Sequence, residues 1–145
     1  MTHLKTERLS GESIIVSTYI ENITVQDIAE SSPYIEGHVR AIGGLIYYII
    51  DVRQTKSTFK DILDILRMPQ DDGQMEAEAA GIDFRLMMVG NDALAKFFVQ
   101  AAQQQQYGHM QIPLFATLEA AIDAARTGLA LAHDSRHTQS GAAAD

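Results

Sequence analysis

Leu45-Ile-Tyr-Tyr-Ile-Ile-Asp-Val52 decides the fold of this chain. The run is almost continuous in large apolar and β-branched residues, the pattern of a strand covered on both faces by helices, and it is expected at the centre of a sheet. On its carboxyl side, Thr58-Phe-Lys-Asp61 reads as a capping pair. Phe59, Ile62, Leu63 and Leu66 then form an apolar stripe at helical spacing that stops near Pro69. On its amino side, Gly43-Gly44 closes a helix that opens at a second capping pair, Thr24-Val-Gln-Asp27. Pro33 lies inside that helix, where its missing amide and its ring predict a kink or two short helices.

The alternation continues outward. Ser13-Ile-Ile-Val-Ser-Thr-Tyr-Ile20 alternates β-branched and polar residues and reads as the first strand. Asp83-Phe-Arg-Leu-Met-Met-Val89 reads as a third, after the turn Asp71-Asp72-Gly73 and a stretch, Met75 to Ala80, of helix-forming composition. Asn91 or Asp92 caps a helix with Leu94, Phe97, Phe98, Ala101 and Ala102 on its apolar face. Gln111-Ile-Pro-Leu-Phe115 is a short fourth strand, placed at a sheet edge by Pro113, which cannot donate to a ladder. Thr117 caps a last helix with Leu118, Ala121, Ile122, Ala125 and Leu129 inward. The order βαβαβαβα defines an α/β fold: a mainly parallel sheet of four or five strands with helices packed on it and right-handed crossovers.

Composition narrows the function classes. The 145 residues are 46% hydrophobic and 21% charged, with no cysteine and a net charge of −8. One core is expected, nucleic acid is a poor partner for so acidic a chain, and disulfides, thiolate nucleophiles and thiolate zinc sites are excluded. The first residues lack the apolar stretch of a signal peptide and no run approaches a membrane span, which leads to the expectation of a soluble, cytoplasmic protein.

In a parallel sheet the ligand end is the carboxyl rim, which here gathers Arg53, Lys56, Ser57, Thr58, Lys60, Asn91 and Asp92. Arg53, Lys56 and Lys60 surround the start of the second helix, where free amides and the helix dipole favour an anion or a phosphorylated side chain. The structural alternative for each is plain: Thr58 and Asp92 as helix caps, the cations as solvated surface, Gly90-Asn91-Asp92 as a turn that needs glycine for its conformation. His3, His38, His109, His133 and His137 contain no metal-pair motif with a catalytic glutamate. His133 and His137 are four apart, in a stretch read as tail. No nucleophile elbow, phosphate loop or dinucleotide fingerprint occurs, so no catalytic residue, metal or cofactor is assigned. An enzyme using rim hydroxyls with Asp51 or Asp92 rests on no spacing that chemistry demands.

The strand end Ile50-Asp51-Val52 leading into Ser57-Thr58, together with the closing Ile112-Pro-Leu-Phe-Ala-Thr-Leu-Glu-Ala-Ala121, resembles the STAS domain in its SpoIIAA-like branch, over about Ser10 to Ala130. That resemblance implies one SpoIIAA-like domain over 1–132; the stretch 133–145, rich in small and polar residues without apolar periodicity, reads as a disordered tail. It further implies a non-catalytic regulatory domain, similar to anti-sigma factor antagonists, that binds another protein through this rim and is switched by phosphorylation at Ser57 or Thr58. The sequence departs from the family pattern there, with Lys56-Ser-Thr-Phe59 in place of an Asp-Ser-Ser-Gly-type run. Related SpoIIAA-like domains bind small or lipid ligands, so a small-molecule or lipid carrier with a pocket between sheet and helices is the competing expectation. A Pro113 edge strand or exposed Tyr and Met residues would also allow a homodimer.

Overall fold

The computed structural model describes residues 4–56, 58–66, 81–104 and 111–144. Its elements are β1 (Leu4–Arg8), β2 (Ile14–Glu21), α1 (Val25–Ile42), β3 (Leu45–Thr55), α2 (Phe59–Leu66), β4 (Asp83–Val89), α3 (Ala93–Ala102), β5 (Leu114–Phe115) and α4 (Leu118–Ala144). The five strands form one sheet in the order β1-β2-β3-β4-β5, antiparallel between β1 and β2 and parallel elsewhere. β3 is central, with Leu45 to Asp51 buried without a break, as its composition requires.

The sheet separates two cores. On one face Ile15, Ile46, Tyr48, Ile50 and Met88 pack with Ile62 of α2, Ala95, Val99 and Ala102 of α3, and the half-buried Ile35, Val39 and Ile42 of α1. On the other, Ile14, Val16, Tyr47, Ile49, Met87 and Val89 meet Ala121 and Ala125 of α4. The alanines allow α4 to lie close. At Gly128 the approach is closer still: a methyl group there would overlap the Tyr47 hydroxyl. Alanine normally outdoes glycine in a helix interior by about 1 kcal/mol. Gly128→Ala is nevertheless expected to lower stability by about 1–2 kcal/mol in urea unfolding, since overpacking a filled core costs about 1–3 kcal/mol. Removing the hydroxyl with Tyr47→Phe should recover part of the loss.

Four readings of the sequence change. The chain opens on a strand that the sequence reading left out: Leu4 is the one buried residue of β1, so its alternation is too weak to see. Pro33 does not divide α1, an unbroken 18-residue helix between a Thr24–Asp27 capping box and Gly43. The carbonyl that Pro33 leaves without a donor belongs to Ala29, which is exposed to water, and Ser31 and Ser32 both donate to the Ile28 carbonyl just before it. β5 has two residues rather than five, and Pro113 precedes it, its carbonyl accepting from Met88 N at 2.9 Å. The backbone of α4 is helical to Ala144, through the stretch whose composition suggests an irregular tail; a helix already nucleated over Leu118 to Ala132 extends more cheaply than a new one starts. Gly43 and Gly44 both take positive φ, as the helix-ending reading of that pair requires.

Candidate functional site

The carboxyl rim is shaped by an irregularity in β3. Thr18 pairs with Asp51 but Ile20 pairs with Gln54, so a two-residue step on β2 faces a three-residue step on β3. Such a bulge re-aims side chains. Val52 and Thr55, three residues apart, consequently line the same space, which a regular strand of period two would forbid. Glu21 ends β2 in the left-handed region with φ 57, and its carbonyl accepts from the Lys56 amide at 2.6 Å and the Thr55 hydroxyl at 2.7 Å. These two bonds fix the loop that leads to α2.

The rim residues expected to act together are divided among three places. Arg53 grips the buried carboxylate of Asp51 with two side-chain bonds, Nε to Oδ1 at 3.0 Å and Nη2 to Oδ2 at 2.8 Å, while its own amide donates to Oδ1 at 3.1 Å. The hydrogen bond to Asp51 raises the guanidinium pKa, with a smaller contribution from the field of Glu119 in the first turn of α4. Asp51 continues the Tyr47–Ile49 side of the sheet, so Arg53 is committed on the α4 side and is not part of a cationic cluster at α2. Lys56, Thr58 and Lys60 are exposed around the start of α2. Glu21, Asp61 and Asp64 lie in the same stretch of structure, so the charge at this end is mixed.

Thr58 and Asp61 form a capping box: the Thr58 amide donates to Asp61 Oδ2 at 2.9 Å and the Asp61 amide donates to Thr58 Oγ1 at 3.2 Å. Asp92 caps α3 by accepting from the Ala95 amide at 2.9 Å, with Asn91 exposed beside it. Ser57 lies outside the described residues, as does nearly all of Met68–Gly81. Gly90 is needed for space and not for a special φ, because a Cβ there would press on Ala95 and Val52. Among the described residues no group of three or more His, Cys, Asp or Glu could hold a metal ion, and no helix is long and apolar enough to cross a membrane.

Between α2, α3 and the carboxyl ends of β2, β3 and β4 lies a cleft of about 40 Å³, partly open to solvent. Ile62 and Ile65 of α2 and Leu94, Ala95 and Phe98 of α3 wall it; Tyr19, Ile50, Val52, Thr55 and Met88 form the sheet side, with Ile23 in the loop after β2. Several of these were legible from sequence as buried stripe residues. That they leave a gap was not, because it depends on the bulge and on the angle between two helices. Beneath the cleft's edge, Tyr48 donates to Ser17 Oγ at 2.5 Å and Ser17 shares a 2.8 Å bond with Thr6 on β1. Burial pushes the Tyr48 phenol up to about 12 and holds that of Tyr19 well above its ordinary value.

No family model matches the chain, and no curated protein matches its sequence. Its fold does have a solved counterpart, an uncharacterised protein of the DUF3478 family with a SpoIIAA-like fold from Shewanella loihica. The two superpose with a TM-score of 0.54 at 15% identity, over 84% of this chain and 91% of that one. The chain thus has a SpoIIAA-like fold, as the strand-end and closing motifs suggested.

Proposed function

We propose that this domain is a non-catalytic binding domain whose site is the apolar cleft at the carboxyl rim, and that its ligand is small. The cleft itself carries the reading. It is apolar, it lies where open α/β sheets take their ligands, and the lining comes from three strands and two helices. Its size sets the ligand class: a dry cavity of about 150 Å³ accepts benzene, so about 40 Å³ admits a few heavy atoms and not a whole acyl chain. A lipid carrier would have to separate α2 from α3.

A regulatory role through a partner protein fits the same rim. Lys56, Thr58 and Lys60 are exposed on the segment that joins β3 to the cleft wall, so a partner resting there would contact the elements that hold the ligand. Against catalysis stands the environment of the nearby hydroxyls: the Tyr48 and Tyr19 phenols are pushed up, away from the values that a nucleophile or base at neutral pH needs.

The reading is tested with xenon, an apolar atom small enough for such a cavity. Under xenon pressure, the methyl signals of Ile23, Ile62, Ile65 and Leu94 should shift, and Ile65→Phe, which fills the cleft from α2, should abolish the shifts. Shifts confined to methyls of the opposite core, such as Ile14 and Ile49, would place the accessible cavity elsewhere and reject the site.

A further inference from the structure

Among the described residues the cleft offers a ligand one uncommitted hydrogen-bonding group. Of the described lining residues only Tyr19 and Thr55 have hydroxyls, and none is charged. Thr55 spends its hydrogen on the Glu21 carbonyl at 2.7 Å. Tyr48, the neighbour of Tyr19, spends its own on Ser17. The Tyr19 hydroxyl makes no hydrogen bond among the described residues, although the side chain sits partly buried against the core. Among the described residues the buried side-chain polar atom without a partner is His38 Nε2, so the Tyr19 hydroxyl is not a buried unpaired group, and a ligand atom that bonds it gains the modest net value of one hydrogen bond, about 0.5–1.5 kcal/mol.

Resting on the reading of the cleft as the binding site, we infer that Tyr19 is its specificity residue: the cleft takes a small neutral molecule, or the neutral end of a larger one, whose apolar body carries a hydrogen-bonding oxygen. Ketones, aldehydes and alcohols are of this class. Carboxylates and amines are turned away, because an ion entering the cleft would lose its hydration and find no opposite charge among the described lining residues. The raised pKa of Tyr19 agrees with this, since the phenol stays protonated and able to donate through the physiological range.

The experiment compares three probes of three or four heavy atoms, acetone, propane and acetate, binding to the full chain as followed by the Ile62 and Leu94 methyl signals. Tyr19→Phe is expected to weaken acetone about three- to tenfold and to leave propane within about twofold, the range of one neutral hydrogen bond. Acetate should bind the wild-type protein more weakly than acetone. Tyr48→Phe removes a hydroxyl outside the lining and should leave acetone affinity unchanged; it also controls for general loosening of the core. An acetone affinity unmoved by Tyr19→Phe, or an acetate that binds as well as acetone, overturns the inference while propane binding keeps the cleft as the site. If neither acetone nor propane shifts the methyls, the site and the inference fail together.

Discussion

Ser17→Ala is expected to lower stability by about 1–3 kcal/mol, more than the loss of one surface hydroxyl would suggest. Ser17 is fully buried at the middle of β2, where its Oγ receives the Tyr48 hydroxyl at 2.5 Å and meets Thr6 at 2.8 Å. Alanine would leave the Tyr48 hydroxyl in the core with no partner and would loosen the edge strand that Thr6 ties down. Tyr48→Phe removes the other end of the same bond, so the double variant should lose clearly less than the sum of the two single ones. Strict additivity in urea unfolding would show that the bond contributes nothing.

The same phenol sets an alkaline limit. Its pKa in the fold, about 12 against an ordinary 10, is raised by burial, so the stability it confers is complete below pH 10 and is lost as the pH climbs through 12. Two pK units correspond to roughly 3 kcal/mol. Tyr48→Phe should flatten the unfolding free energy over that window, and a slope equal to that of the wild-type protein would contradict the assignment. Tyr19, raised for the same reason, adds to the effect.

Arg53→Met is expected to be the more damaging of the surface-facing substitutions, at about 2–3 kcal/mol. The variant keeps much of the side-chain length but strips Asp51, 2% exposed, of the guanidinium that compensates its charge. Breaking a fully buried pair costs about 3–5 kcal/mol, and the Arg53 side chain, 40% exposed, lets water relieve part of that. Asp51→Asn added to Arg53→Met should restore most of the stability by removing the stranded charge. A double variant as unstable as the single one would mean that Arg53 acts through packing of its stem and not through its charge.

This pair also explains why part of the rim misled the reading of the sequence. Arg53, Lys56 and Lys60 fall within eight residues of each other and suggest a cationic patch. The strand, however, continues through Thr55, so Arg53 lies beyond Asp51 on one side of the sheet while α2 packs on the other. The fold itself was far more legible. The unbroken apolar run of β3, the capping pairs at Thr24 and Thr58, and the alanine stripe of α4 each signal an element by local chemistry, and each element appears in its place. Pro33 suggested a kink or two short helices, and α1 is not divided, because the cost of a helical proline depends on whether water can reach the freed carbonyl, which only the packing reveals. Leu4 gave too little, one apolar residue in a charged edge strand. The cleft is a property of three separated segments meeting, and no local pattern in any of them encodes the gap.

Native mass spectrometry of the chain purified from its own host tests the central claim most directly, with Ile65→Phe purified in parallel. The account predicts a small non-covalent mass on the wild-type protein that ketone-bearing or alcohol-bearing competitors displace, and its absence from Ile65→Phe. The same adduct on both proteins would place the ligand outside the cleft and contradict the account. So would a bare wild-type protein whose cleft, titrated with the small neutral probes, takes up none of them.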